Sequence, residues 1–369
     1  MINYSFTVLL SILGSFVLVT LLIPKISLVV TSRNLIHSPN QRSSHVNSIP
    51  TMAGVAFFLT IIFMLVVLKE WDMNNITANL TASLGLLFGI GLKDDLIIST
   101  ARAKIGGQVI AILLVVFCES FKISSLHGFL GLYEIPQILS YISIIMLILV
   151  IINSYNLIDG IDGLAAIMGI VVLSILGFVF YTLGLNFYFL FSLCLIGVLL
   201  AYLRYNLSNT KKVFMGDTGS LIIGFCIGFL FLRFLSLDPN LLVQNNFKPE
   251  NSLILVVAVF FIPLFDTFRI ILVRLLNKKG IFKPDNNHIH HILINSGLTH
   301  FKSSLFLSFL NLLIAVVLIK LSSYLSSFWM LFIIFVCTLI LLRVFYLLKK
   351  NIGKGNSSRH LSTVILSIF

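Results

Sequence analysis

The chain is predicted to be an all-α, polytopic integral membrane protein with about eleven transmembrane helices, on three observations. Hydrophobic residues make up 58% of its 369 positions and charged residues only 10%. Mean hydropathy is +1.07, well beyond the composition of a soluble globular domain. The apolar residues fall into runs near the roughly 20 residues a spanning helix needs, and the basic residues between the runs are segregated by side.

In order, the runs lie at about 5–24, 51–68, 77–92, 105–118, 137–153, 164–181, 185–203, 218–235, 252–268, 303–322 and 327–347, the third and fourth being the shortest. No basic residue precedes the first run, so it reads as a retained span and not as a cleaved signal peptide. Eleven spans place Lys69, Lys122, Arg233, Lys248 and Lys320 on one side and the other twenty of the 25 Lys and Arg on the opposite side. The richer side is expected to be cytoplasmic, with the N-terminus outside and the C-terminus inside. Residues 1–348 form one transmembrane catalytic domain with cytoplasmic active-site loops, and 349–369 a short basic cytoplasmic tail. The net charge of +12 would suggest nucleic acid in a soluble protein; here it records topology, the lipid bilayer and anionic substrates, and no nucleic-acid partner is expected. Cys118, Cys194, Cys226 and Cys337 all fall in spans, without a CxxC pair, and read as packing residues.

The acids sort as sharply. Asp94, Asp95, Asp159, Asp162, Asp217, Asp266 and Asp285 share the cytoplasmic side, while Glu70, Asp72, Glu119, Glu134, Asp238 and Glu250 lie outside. Short aspartates gathered at span ends suit a fixed hard-cation site; the alternative is that Asp merely favours helix ends and turns.

Five motifs carry these acids: GLKDD (91–95), NLIDGIDG (156–163), FMGDTGS (214–220), FDTFR (265–269) and DNNHIHH (285–291). Asp94 and Asp95 are helix neighbours about 100° apart, so both cannot face one point. One can face substrate while the other meets a cation or a basic residue such as Lys93 or Lys104; an interfacial cap is the alternative. Asn153, Asn156, Asp159 and Asp162 recur every three residues, and Gly160 and Gly163 are expected to break the helix there. Such a polar stripe at a span's base needs partners, which a metal–phosphate or nucleotide site would supply. A structural polar network would supply them equally. In FMGDTGS, Asp217 stands between Gly216 and Gly219, with Thr218 and Ser220 expected to cap the following helix. That helix mouth would attract phosphate and the aspartate would hold the accompanying Mg²⁺. His288, His290 and His291 share the longest cytoplasmic loop with Lys278, Lys279 and Lys283, which favours pyrophosphate binding over zinc, since no Cys is near. Asp266 and Arg269, at i and i+3, read either as a structural ion pair or as a substrate contact. His37, His45 and His300 read as ordinary loop residues.

Together these motifs resemble the polyprenyl-phosphate N-acetylhexosamine-1-phosphate transferases. IHSPNQRSSHVNSIPTMAG (36–54), GLKDD, NSYNLIDGIDGLA (153–165), FMGDTGSL (214–221) and PDNNHIHHIL (284–293) follow the family's motif order from about residue 38 to 298. The HIHH form looks more like the bacterial UDP-N-acetylglucosamine branch than the phospho-N-acetylmuramoyl-pentapeptide branch, which stays open with other UDP-N-acetylhexosamine specificities. The resemblance implies attack of undecaprenyl phosphate on the β-phosphorus of a UDP-sugar, with Mg²⁺ or Mn²⁺ as cofactor, release of UMP, and initiation of a surface polysaccharide at the cell membrane. It implies that Asp94 and Asp95 are the catalytic pair and that Asn156 and Asp217 hold the metal. It further implies that Asp162 meets uracil, Asp159 the nucleotide, and His288, His290 and His291 the pyrophosphate. A homodimer is left open. The chain departs from the family's pattern at Ile98, where a further acid would complete DDxxD, in Val-Asn-Ser-Ile between His45 and Pro50, where many relatives carry a lysine, and in one extra residue between Asn206 and Asp217. A reading from another class, an ion-coupled transporter, would place its acids near the bilayer midplane and show inverted halves; these acids lie at span ends.

Overall fold

The structure is a computed structural model that describes residues 3–33, 50–97, 100–121, 123, 125–278, 280 and 287–352. The expectations for Asp285, Lys279, Lys283, His37, His45, Ile98 and the tail beyond Ile352 fall outside the described residues.

The chain runs through α1 (Tyr4–Ser32), α2 (Ala53–Leu68), α3 (Thr77–Leu96) and α4 (Ala101–Val116). A small antiparallel hairpin follows, β1 (Ser125–Phe129) with β2 (Leu132–Glu134), pairing Ser125 with Glu134 and Phe129 with Leu132. Then come α5 (Gln137–Ile158), α6 (Leu164–Thr182), α7 (Asn186–Asn206) and α8 (Gly216–Leu235). After the short α9 (Pro239–Gln244) lie α10 (Ser252–Val259), α11 (Phe261–Leu276), α12 (Ile289–Asn295), α13 (His300–Ser322) and α14 (Ser327–Ile352). The hairpin was not expected from sequence. It turns on Leu130 and Gly131, both at positive φ, which a purely helical reading passes over.

Among the described residues, eight helices are long and apolar enough to cross a membrane, and nine if α10 and α11 are one span bent by 74°. The other two of the eleven runs correspond to α3 and α4. α3 ends in the charged Lys93-Asp94-Asp95, and the 16 residues of α4 cover only about 24 Å at 1.5 Å per residue. They pack on each other, α3 against α8 and α4 against α5.

The break between α10 and α11 has a local cause. Pro263 has no N–H to donate and its ring crowds the carbonyl four residues earlier, at Val259. Buried Asn311 of α13 repairs both sides: its Nδ2 donates to the Val259 carbonyl at 2.9 Å and its Oδ1 accepts from the Ile262 N–H at 2.9 Å. In an apolar bundle such freed backbone groups must be satisfied internally.

α8 is the axis of the bundle, almost wholly buried and flanked by α2, α3 and α5. Outer helices show the reverse polarity of a soluble protein. On α1, Phe6, Leu9, Leu13, Val17 and Leu21 form an exposed apolar stripe. Its opposite face buries Thr7, Ser11 and Ser15, small residues that let backbones approach. The Ser11 and Ser15 hydroxyls bond back to the carbonyls of Thr7 and Ser11, so the seam stays satisfied.

Candidate active site

The last turn of α3 packs beside the first turn of α8. Asp95 is buried and caps α8 from outside that helix: Oδ1 accepts from the Asp217 N–H at 2.7 Å, and Oδ2 from the Thr218 N–H at 3.0 Å and its hydroxyl at 2.5 Å. This approach requires glycine twice. Gly216 adopts φ +71°, and a Cβ on Gly91 would stand 2.5 Å from the Thr218 Cα. The expected caps, Thr218 and Ser220, are therefore not the caps. Thr218 donates to Asp95, and the Ser220 hydroxyl turns back to the Gly216 carbonyl at 3.1 Å. A full carboxylate charge complements the helix end better than a hydroxyl does. It also takes the amides that were expected to receive phosphate.

Asp94, about 100° further round α3, faces Lys104 of α4 at 3.1 Å. The same ammonium stands 3.0 Å from Asp217 Oδ2. Asp217 Oδ1 accepts from the Asn156 amide at 2.6 Å, and that amide also donates to the Ser220 hydroxyl at 2.7 Å. Asp94 and Asp217 thus converge on one cation position, with Asn156 beside it.

The next group comes from the turn between α5 and α6. Gly163 takes φ +80°, and its N–H donates to Asn206 Oδ1 at 2.6 Å, while Asn206 Nδ2 donates to the Val213 carbonyl at 3.2 Å. The turn is thereby tied to the connection between α7 and α8. The stripe from Asn153 to Asp162 fans apart. Asn153 donates to Gln108 Oε1 at 2.8 Å, towards α4, and Asn156 turns to Asp217. Asp162 pairs with Lys212 at 2.6 Å and His300 at 3.2 Å. Burial pushes the Asp162 pKa up, but hydrogen bonds and charge from His300 and Lys212 outweigh it and hold the carboxyl below its usual range. Asp159 is half-buried, and its carboxylate has no hydrogen bond among the described residues. Burial, then the nearby charges of Asp217, Asp95 and Asp162, raise its pKa well above the ordinary value. Of the clustered acids, Asp159 would gain most from a cation or donor brought by a ligand.

Asp266 of α11 organises the histidine turn. It accepts from Arg269 Nη2 at 2.9 Å and the Ile289 N–H at 3.1 Å, and lies 2.8 Å from His288 Nδ1. Arg269 also donates to the Asn287 carbonyl. Asp266 and Arg269 form the buried ion pair that their i, i+3 spacing allowed. What read as loop is the short helix α12 from Ile289, with His288 just before it. The His288 and His290 rings stack at 5.4 Å, and His291 lies 4.4 Å from His290. His290 is buried with neither ring nitrogen hydrogen-bonded among the described residues. Burial drives its pKa down to about 3 against the opposing pull of Asp266, so the ring is neutral. It lies against Gly160, where any Cβ would overlap the imidazole. The histidine turn and the NLIDGIDG turn therefore touch.

Two residues of this constellation escaped the sequence reading in role. Lys212 figured only as a topological charge, and His300, taken as an ordinary loop residue, opens α13 and binds Asp162. No spacing rule links either to Asp162, because the contacts are made across separate helices.

The donor set around Lys104 fits a hard divalent cation. It offers carboxylate oxygens of Asp94 and Asp217, and the position they share already carries positive charge. Among the described residues no three His, Cys, Asp or Glu side chains form a closed metal cage. Mg²⁺, which keeps waters and shares substrate phosphates, is ordinarily bound through only one or two carboxylates.

The family model of glycosyl transferase family 4 matches residues 76–235, from α3 through α8. The chain is 31% identical to the undecaprenyl-phosphate α-N-acetylglucosaminyl 1-phosphate transferase of Haemophilus influenzae, over 81% of this chain and 82% of that protein. It is 32% identical to the protein of that name from Pasteurella multocida, over 88% of each. It is 29% identical to a probable undecaprenyl-phosphate N-acetylglucosaminyl 1-phosphate transferase of Bacillus subtilis, over 87% of each. With such similarity spanning most of both chains, the protein belongs to glycosyl transferase family 4.

Proposed function

We propose that the protein transfers N-acetylglucosamine 1-phosphate from UDP-N-acetylglucosamine to undecaprenyl phosphate, releasing UMP, at the cytoplasmic face of the cell membrane. This reaction starts a lipid-linked surface polysaccharide. The observation that carries the reading is the convergence of Asp94 and Asp217 on one cation position, with Asn156 beside Asp217, at a pole where helix ends meet. The relatives supply the substrate class.

In this reaction an oxygen of the lipid phosphate forms a bond to the β-phosphorus, and the bond from that phosphorus to the bridging oxygen breaks. The bridging oxygen leaves on UMP. Two anions must be brought together, so positioning and charge neutralisation dominate. Mg²⁺, held by Asp217 and Asn156, would neutralise the diphosphate. Asp94 orients the attacking group beside it, and Lys104 supplies a second positive charge at the same place. Asp95 does not meet substrate; it fixes Asp217 by capping α8. Asp159 and Asp162 line the nucleotide side, with Lys212 and His300 holding Asp162 in place. Arg269 and His288 hold the turn that presents His290 and His291.

Purified protein assayed with undecaprenyl phosphate and a panel of UDP-sugars tests this reading. UDP-N-acetylglucosamine should be preferred, and EDTA should abolish turnover until Mg²⁺ or Mn²⁺ is restored. Full turnover in EDTA would remove the metal from the proposal.

A further inference from the structure

At the end of α8 remote from the aspartates lies a cavity of about 750 Å³, lined by Trp71, Asn74, Asn186, Phe187, Tyr188 and Arg233 among others. Arg233 is on the same helix as Asp217, about 24 Å along the axis at 1.5 Å per residue. Its guanidinium carbon stands 5.1 Å over the Tyr188 ring. Its Nε is sealed from solvent without a hydrogen-bond partner, and among the described residues its side chain has no ion pair. Asp72, the buried acid in the same wall, does not serve it. That carboxylate accepts from the Asn74 N–H at 3.3 Å, the Thr77 N–H at 2.7 Å and the Thr77 hydroxyl at 2.5 Å. Glu70, the other acid of the lining, is exposed.

A guanidinium at an aromatic-walled cavity with no carboxylate bonded to it is costly unless a ligand completes it. Its planar fork matches phosphate oxygens. Asn74 and Asn186 add neutral amides, while Trp71 and Phe187 offer an apolar wall of the kind found at membrane interfaces. We propose that this cavity is a phosphate-recognition site, with Arg233 as the charged anchor. The phosphate is carried by a phospholipid headgroup or is inorganic phosphate.

The full-length protein in detergent, its Arg233→Gln variant and a cavity-filling Asn186→Trp variant would be compared. Native mass spectrometry would follow retention of phosphatidylglycerol, with diacylglycerol as the uncharged control. Thermal unfolding in phosphate and in chloride at matched ionic strength would follow the free anion. Wild type should retain phosphatidylglycerol over diacylglycerol, and each substitution should weaken retention about tenfold, the scale of a charge-assisted hydrogen bond. Protection by inorganic phosphate that both substitutions remove, without lipid retention, would assign the free anion as the ligand. Equal lipid retention and equal phosphate response in wild type and the folded variants would overturn the site. Should Arg233→Gln fail to fold, unchanged binding by Asn186→Trp would overturn it alone.

Discussion

Adjacent aspartates at the end of α3 have unlike surroundings, and their substitution should separate them. Asp95→Ala leaves two backbone N–H groups and the Thr218 hydroxyl without their acceptor, which costs on the order of 2 kcal/mol or more. Thermal stability and turnover should fall together. Asp94→Asn and Asp217→Asn keep shape and remove charge, so kcat should drop at least about a hundredfold with the melting temperature little changed. Loss of turnover by Asp95→Ala with an unaltered melting temperature would move that residue into the reaction itself. If Asp162 meets the nucleotide as proposed, Asp162→Ala should mainly raise KM for the UDP-sugar, because a contact remote from the reacting phosphorus binds ground and transition states alike. His290 gives a pH signature. Its folded pKa, about 3, lies below the model-peptide value of 6.5. The unfolded chain therefore binds the extra proton first, and stability is complete above about pH 6.5 and is lost as pH falls towards 3. Denaturation midpoints measured across that window should fall less steeply in His290→Phe than in wild type.

The helices themselves were legible because apolar runs and their charged ends are local features. The aspartate motifs were legible for the same reason, each lying where a run stops. What sequence could not supply was the partner of each terminus. Asp95 belongs to α8 by contact and to α3 by chain, and no pattern in FMGDTGS announces a cap arriving from another helix. The bend at Phe260 had a visible cause in Pro263, but hydropathy sums over it, and the compensating Asn311 lies on α13. Asn311→Leu should strand the Val259 carbonyl and the Ile262 N–H and destabilise the protein by roughly 2–6 kcal/mol, with each group costing about 1–3 kcal/mol when unpaired. An unchanged melting temperature would mean that the break needs no such repair. α14 continues through Lys349, whose ammonium donates to Asn287 Oδ1 at 2.7 Å.

Across the whole molecule, the ends of α3, α5, α7 and α11 and the starts of α8, α12 and α13 form one polar pole. The sides facing lipid are apolar, and the cavity at Arg233 occupies the far end of α8. Segregation of charge in the sequence foretold two unlike poles, since insertion sorts lysine and arginine by side. It could not foretell which helix would be the axis, because α8 is no more apolar than α6 or α13 and is central only through its neighbours. The orientation is expected to put the aspartate pole in the cytoplasm. Cysteines placed singly in the 270–302 connection of a Cys-free protein should resist an impermeant thiol reagent in intact cells and react after permeabilisation. What separates this chemistry from ordinary glycosyl transfer is which bond to the sugar phosphate breaks, and the nucleotide product reports it. Purified protein supplied with UDP-N-acetylglucosamine and undecaprenyl phosphate should release UMP in step with the lipid-linked diphosphate sugar, and only when the lipid phosphate is present. Release of UDP, or of UMP without lipid phosphate, would contradict sugar-1-phosphate transfer at this site.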